Sequence, residues 1–120
     1  MFNREIKTSF KVWLSNSEGE YIIGKGGAEL LKAIEETHSI SKATEKLHPK
    51  KISYRKAWGM LQKIKEHIGQ DPVETMSGGK GGGSTVLTKA GKKLLETYLE
   101  FENIMHQTQI NFEKMKEKNN

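Results

Sequence analysis

The stretch from Ser53 to Ile68 constrains the fold more than any other part of the chain. Its apolar residues recur at the three- and four-residue intervals of one helical face, and they are Tyr54, Ala57, Trp58, Leu61, Ile64 and Ile68. Ser53 is a suitable cap for a helix that opens at Tyr54. The other face is left to Arg55, Lys56, Gly59, Met60 and Lys63. The pattern predicts an amphipathic helix with a basic outer face and with its aromatic residues turned largely inward.

Gly59 is the unusual member of that basic face. A glycine inside a helix lowers its stability by about 1 kcal/mol relative to alanine. Its presence on an exposed face indicates that a partner approaches the backbone closely there. A phosphate or a base edge would fit.

Positive charge is concentrated in two parts of the sequence. Residues 46–65 hold seven basic residues and no acidic residue, and residues 75–95 hold four basic residues and no acidic residue. Because these windows together carry +11 while the net charge is +5, the remainder carries −6 and the chain is polarised. One basic face on a small protein is typical of proteins that bind a polyanion.

The sequence predicts short strands and helices around the basic helix. Residues 8–23 are predicted to form an N-terminal hairpin, because apolar and polar residues alternate on both sides of a polar turn. Residues 27–68 hold three predicted helices, the second capped by Ser39 and the third being the basic helix. Two short helices in succession, the second with a basic outer face, form the helix-turn-helix pattern.

A glycine run at residues 78–83 lies between strand-forming segments, so residues 72–87 are predicted to form a second hairpin with Lys80 near its tip. Two interpretations remain open for the run. It is either a flexible connector or a wing that lies against a nucleic-acid groove while Lys80 meets a phosphate. It does not match a nucleotide-binding loop, which requires Ser or Thr after Gly-Lys, because Gly81 takes that position.

The last segment, residues 88–120, is predicted to form one long helix after a DNA-binding domain at residues 1–87. Thr88 is its predicted cap, and apolar residues recur at alternating steps of four and three. The predicted dimerisation seam consists of Leu94, Tyr98, Phe101, Met105 and Phe112. A helix of about thirty residues extends about 45 Å, beyond so small a core. We therefore expect it to pair with the same helix of a second copy rather than to pack only on its own domain.

Other function classes find little support in the sequence. There is no cysteine, which excludes disulfides and thiolate metal sites. The four histidines are scattered over different predicted elements, so we expect surface residues rather than a metal site. No catalytic arrangement emerges, and we expect neither an enzyme nor a cofactor. No apolar run reaches the roughly 18 residues of a membrane span, so we expect a soluble, cytoplasmic protein.

The combination of these motifs closely resembles the N-terminal DNA-binding domain of ModE-type molybdate-responsive regulators. The resemblance is carried by residues 27–34, 39–43 and 52–58 and by the glycine-rich wing, and it extends over nearly the whole chain. The run Ser-Tyr-Arg-Lys-Ala-Trp that begins at Ser53 is its most distinctive part. The resemblance implies a mainly α fold with small β hairpins, a winged helix-turn-helix of LysR-like type that dimerises through its last helix. It also implies that the helix after Ser53 enters the major groove, while the wing contacts the backbone or the minor groove.

The chain departs from the pattern of that family in two places. Full-length members continue into oxyanion-binding domains for molybdate or tungstate, which are not among these residues. We therefore expect no molybdate sensing and no small-molecule effector bound by this chain. In addition, residues 48–51 are inserted where the family has little more than a glycine. This insertion would either tilt the recognition helix or add phosphate contacts.

These observations predict a homodimeric, sequence-specific transcriptional regulator that binds an inverted-repeat operator in double-stranded DNA. Base contacts are expected from Ser53, Tyr54, Arg55, Lys56 and Lys63, a close backbone approach at Gly59, and phosphate contacts from Lys50, Lys51, Lys80 and Lys89. The alternatives are a sequence-neutral architectural DNA-binding protein and a helical protein-interaction adaptor.

Overall fold

Four helices and two short hairpins make up the computed structural model, which describes residues 6–47, 50–77 and 83–118. The elements follow in the order β1 (Leu14–Ser15), β2 (Tyr21–Ile23), α1 (Lys25–Thr37), α2 (Ile40–Lys46), α3 (Tyr54–Ile68), β3 (Val73–Met76), β4 (Ser84–Leu87) and α4 (Lys89–Lys118). β1 pairs with β2 and β3 pairs with β4, both antiparallel. The prediction of a mainly helical chain with small hairpins is confirmed.

The first hairpin, β1–β2, is much shorter than the predicted hairpin at residues 8–23, because residues 6–13 belong to no strand. The predicted alternation is present even so: the even-numbered residues from Phe10 to Leu14 are buried or half-buried, and the odd-numbered ones are exposed. This segment lies along α4 instead of pairing with a strand. The rings of Phe10 and His106 meet edge to face with centroids 4.9 Å apart, and the Gln109 amide donates to the Thr8 carbonyl at 2.8 Å.

Hydrogen-bonded caps fix the ends of the short helices. The hydroxyls of Ser39 and Ser53 each accept a bond from the backbone N–H three residues later, at 3.1 and 3.0 Å, which confirms both predicted caps. α3 ends at Gly69, whose φ of +75° is the left-handed conformation that glycine adopts without strain. α1 begins at Lys25, two residues before the predicted start. The Ser53 cap thus fixes the residue at which the first turn of α3 begins.

The core lies where the three short helices meet the start of α4. α1 is its central element, since Leu30, Leu31 and Ile34 have no exposed surface. The other fully or almost fully buried members include Ile23, Ile40, Ala43, Ala57, Leu61, Ile64, Leu87, Leu95 and Tyr98. The second hairpin, β3–β4, joins this core through β4, whose Thr85 N–H donates to the His38 carbonyl at 2.9 Å. Both hairpins are therefore held against the helices.

The junction between the second hairpin and α4 is a tight backbone contact. The Thr88 hydroxyl accepts from the Gly91 N–H at 3.1 Å, which confirms Thr88 as the cap of α4, and the Thr88 N–H donates to the Pro72 carbonyl at 3.0 Å. A Cβ atom at Gly91 would lie 2.1 Å from the Pro72 carbonyl oxygen. Only glycine allows α4 to approach the start of β3 this closely.

The apolar residues of α4 do not all lie on one exposed surface, and the dimerisation seam stays a prediction. Leu94 and Tyr98 are only 9% and 2% exposed, because they belong to the core of their own domain, and Met105 is half-buried against it. Phe101 and Phe112 are 44% and 43% exposed. Ile104 and Met115 are also exposed and lie on the same side of the helix as Phe101 and Phe112, whereas the exposed Leu99 and Ile110 lie on the opposite side.

Candidate nucleic-acid interface

The outer face of α3, defined here as Arg55, Lys56, Gly59, Gln62 and Lys63, is exposed along its length. Arg55, Gly59 and Gln62 follow one another at steps of four and three, so they lie on one line along the helix. Lys56 and Lys63 flank this line on the side of the first hairpin, since both line a cleft with β2. Glu66, one turn beyond Gln62, is also exposed and limits the basic part to the first three turns.

Gln62 is an exposed residue of the outer face that the sequence analysis did not include among the candidate site residues. Its side chain can donate to and accept from the base edge of adenine, just as arginine can pair with guanine. The signal was present in the sequence, because Gln62 is seven residues after Arg55 and therefore two turns along the same face.

The basic side chains of the outer face are not neutralised within the described part of the chain. The ion pairs found there join Lys46 to Glu36 at 3.2 Å and Lys65 to Asp71 at 3.3 Å. Both pairs lie outside the outer face, although both lysines belong to the basic window at residues 46–65. The charge of this window is therefore focused on α3 and its approach, where Lys50 and Lys51 are also exposed.

Three residues of α3 do not lie where the apolar pattern placed them. Tyr54 was expected inward, but it is 50% exposed, because the first turn of α3 extends past the edge of the core. Its ring meets that of Trp58 edge to face with centroids 6.3 Å apart, and Trp58 is only half-buried at the core margin. Met60 was expected outward, but it is half-buried against the core. Tyr54 is thus accessible to a partner, whereas Met60 lines the cleft between α3 and β2.

The second hairpin lies beside α3 on the side opposite the first. Trp58, Leu61 and Gln62 of α3 share a cleft with residues 73–75 of β3. Lys89 is exposed at the start of α4, next to this hairpin. Lys80, the predicted wing contact, lies outside the described residues, as do His48 and Pro49 of the inserted turn.

We expected the histidines to be surface residues, but His67 is not. His67 is half-buried, and its Nδ1 atom is closed off from solvent with no hydrogen-bond partner in the described part of the chain. Among residues 6–47, 50–77 and 83–118, no three His, Asp or Glu side chains lie together as a metal site would require. In the same residues, no helix combines the length and the apolar character needed to cross a membrane.

No protein-family profile matches the chain. It is 38% identical over 91 residues to the molybdenum-pterin-binding protein MopB of Rhodobacter capsulatus, an alignment that covers 73% of this chain and 33% of the relative. It is 38% identical over 73 residues to the molybdenum transport protein ModE of Herbaspirillum seropedicae, covering 61% and 26% of the two chains. The DNA-binding transcriptional dual regulator ModE of Escherichia coli K12 is 38% identical over 69 residues, covering 58% and 25%.

The chain spans between a quarter and a third of the length of these relatives. The relatives are named as a molybdenum-pterin-binding protein, a molybdenum transport protein and a DNA-binding transcriptional dual regulator, and none of these three names denotes an enzyme. The matches support a relationship to the ModE and MopB proteins.

Proposed function

We propose that this relative of the ModE proteins is a sequence-specific, DNA-binding transcriptional regulator with a winged helix-turn-helix architecture. The observation that carries the proposal is the outer face of α3, where Arg55, Lys56 and Lys63 stand exposed and unneutralised around Gly59. A helix with exposed basic and amide side chains suits the major groove, which is about 12 Å wide and presents a different pattern of donors and acceptors for each base pair.

The side chains of the outer face divide into base contacts and phosphate contacts. Arg55 and Gln62 are assigned to base edges, because their planar groups can form two hydrogen bonds to guanine and adenine respectively. Ser53, Tyr54, Lys56 and Lys63 surround them as further base or sugar contacts. Phosphate contacts come from Lys50 and Lys51 before α3, from Lys89, and from Lys80 of the proposed wing.

The proposed regulator acts as a homodimer through α4. The exposed stripe of Phe101, Ile104, Phe112 and Met115 supports this assignment, because such a row of large apolar side chains is usually covered by a partner. The four side chains lie on one side of the helix, and a second copy supplies the same stripe. Two-fold symmetry would place the two α3 helices about 34 Å apart, one turn of DNA, and implies an inverted-repeat operator.

A connection with molybdenum enters the proposal through the names of the relatives. Three of them are named for molybdenum binding, molybdenum transport or ModE-type regulation. We propose that the genes controlled by this chain belong to the same area of metabolism. Selection of bound genomic fragments by the purified protein tests this point directly.

The central test measures sequence preference and salt dependence together by fluorescence anisotropy, using fragments obtained in that selection. Arg55→Ala is expected to relax discrimination at one base position, at a cost of about 1–3 kcal/mol on the preferred sequence. Lys51→Ala is expected to weaken all sequences equally and to lower the slope of log affinity against log salt by about one. Lys116→Ala, which removes the same charge near the far end of α4, serves as the control and should change neither quantity.

The two alternatives give different results in this assay. A sequence-neutral architectural protein would bind competitor DNA as tightly as any selected fragment. A protein-interaction adaptor would bind neither. If Arg55→Ala leaves discrimination unchanged while the unaltered protein does discriminate, the reading face has been assigned to the wrong residues.

A further inference from the structure

A cleft opens between α3 and the first hairpin, directly beside the outer face. Its volume of about 470 Å³ falls within the range of roughly 300–1,000 Å³ that is typical of small-molecule sites. The walls are mainly apolar and come from Ile22, Ile23, Met60 and Ile64. Gly27 of α1 also lines the cleft. Such walls suit the body of an aliphatic or aromatic molecule.

The charged side chains of the cleft all carry the same sign. Lys56 and Lys63 line it, and both occupy exposed positions on α3. None of the described residues that line the cleft is acidic. An anionic group on a ligand would therefore meet two cations and no opposing carboxylate. The combination of apolar walls with two lysines selects an amphipathic anion over either a bare ion or a neutral hydrocarbon.

The imidazole of His67 also belongs to the wall of the cleft. It is one of the lining residues, and its Nδ1 is closed off from solvent without a partner in the described part of the chain. Buried polar atoms in native proteins usually have a partner. This Nδ1 atom is not open to the cleft in the present position of the ring, so a ligand oxygen bonds to it only after the imidazole rotates.

We propose that this cleft binds a small monocarboxylate with an apolar body and that the ligand lowers the affinity for DNA. The carboxylate pairs with Lys56 and Lys63, which are then withdrawn from the nucleic acid, while the apolar body packs on Met60 and Ile64. Ligand binding stands independently, whereas the effect on DNA rests on the proposed function. This inference departs from the sequence-based expectation that the chain binds no small-molecule effector.

Binding is tested by NMR on the full chain, titrated separately with hexanoate and phenylacetate. Hexan-1-ol controls for the apolar body and acetate controls for the charge. Saturable shifts are expected for the methyl groups of Ile23, Met60 and Ile64 with both carboxylates. Hexan-1-ol is expected to bind at least tenfold more weakly than hexanoate, and acetate to give no saturable shift at the same concentrations. The binding site is overturned if neither carboxylate saturates these signals, or if hexan-1-ol binds as tightly as hexanoate.

Two sets of variants separate the contributions of charge and of the imidazole. Because both lysines are exposed, Lys56→Gln/Lys63→Gln should fold normally, and it should bind hexanoate no better than hexan-1-ol. His67→Leu should bind hexanoate several-fold more weakly while keeping the shifts at Ile23. Lys116→Gln is the charge control and should bind like the unaltered chain. A double variant that keeps the preference for hexanoate over hexan-1-ol contradicts the assigned role of the lysines.

The regulatory effect is measured as operator affinity with and without saturating hexanoate. A decrease of threefold or more is expected, and hexan-1-ol should have no such effect. If hexanoate fills the cleft and operator affinity is unchanged, the regulatory part is wrong. If hexanoate fills the cleft but no DNA is bound under any condition, the proposed function fails while the binding site stands.

Discussion

Gly59→Ala should make the protein more stable and a poorer DNA-binding protein. A Cβ atom added at Gly59 meets no atom within 4 Å, so the methyl group has no steric cost in the free chain. Alanine is favoured over glycine inside a helix by about 0.5–1 kcal/mol, and the free energy of unfolding should rise by that amount. The same methyl group projects from the middle of the outer face, where it would hold the α3 backbone away from DNA. A tenfold loss of operator affinity, about 1.4 kcal/mol, is expected.

The assay pairs urea unfolding at fixed protein concentration with fluorescence anisotropy on the same preparations. Gly26→Ala is the matched control, because its added Cβ is also free of contacts within 4 Å and lies on α1. Its gain in stability should be smaller than that at Gly59, since Gly26 lies in the first turn, and its DNA affinity should not change. If Gly59→Ala is stabilised as expected and binds the operator with unaltered affinity, then close approach of the backbone is not the reason for glycine at this position.

Three further predictions address the fold and the assembly. Gly91→Ala should destabilise the protein by about 1–3 kcal/mol despite its better helix propensity, because the new Cβ would collide with the Pro72 carbonyl; urea unfolding measures this. Burial and the hydrogen bond to Glu102 raise the pKa of Tyr98 to about 12, so folding favours the neutral phenol. Stability should therefore fall as pH rises from about 10 to 12, and less steeply in Tyr98→Phe, when unfolding is followed across that range. Phe112→Glu should raise the dimer dissociation constant at least tenfold in sedimentation experiments without unfolding the domain, whereas an unchanged constant would place the interface elsewhere.

Local features of the sequence predicted the short helices correctly. Ser39 and Ser53 cap their helices as expected, because capping depends on residues only three positions apart. The inward position of Ala57 and Leu61 followed equally well from helical periodicity. The predicted inward position of Tyr54 was wrong, because periodicity gives the direction of a side chain and does not show where the core ends.

Contacts distant in sequence could not be predicted in the same way. Residues 8–13 alternate as a strand does, yet their partner is α4, about one hundred residues away, where the Thr8 hydroxyl donates to Glu113 at 2.8 Å. The spacing along α4 likewise does not distinguish side chains that fill the chain's own core from those that face a partner. Leu94 belongs to the first group and Phe101 remains exposed. The cleft beside α3 exists only because the first hairpin folds against that helix.

The contact between Gly91 and Pro72 has a mechanical consequence for the proposed dimer. In that dimer, α4 would be the dimerisation element and would set the separation of the two α3 helices. Its start is fixed to the second hairpin by contacts between backbone atoms. Because this contact involves backbone atoms, no side chain can change rotamer to accommodate a different angle between α4 and the hairpin. A base pair added to the centre of an operator moves one half-site by 3.4 Å and also rotates it around the duplex axis. We therefore expect the proposed dimer to depend as strictly on the spacing of its half-sites as on their sequence.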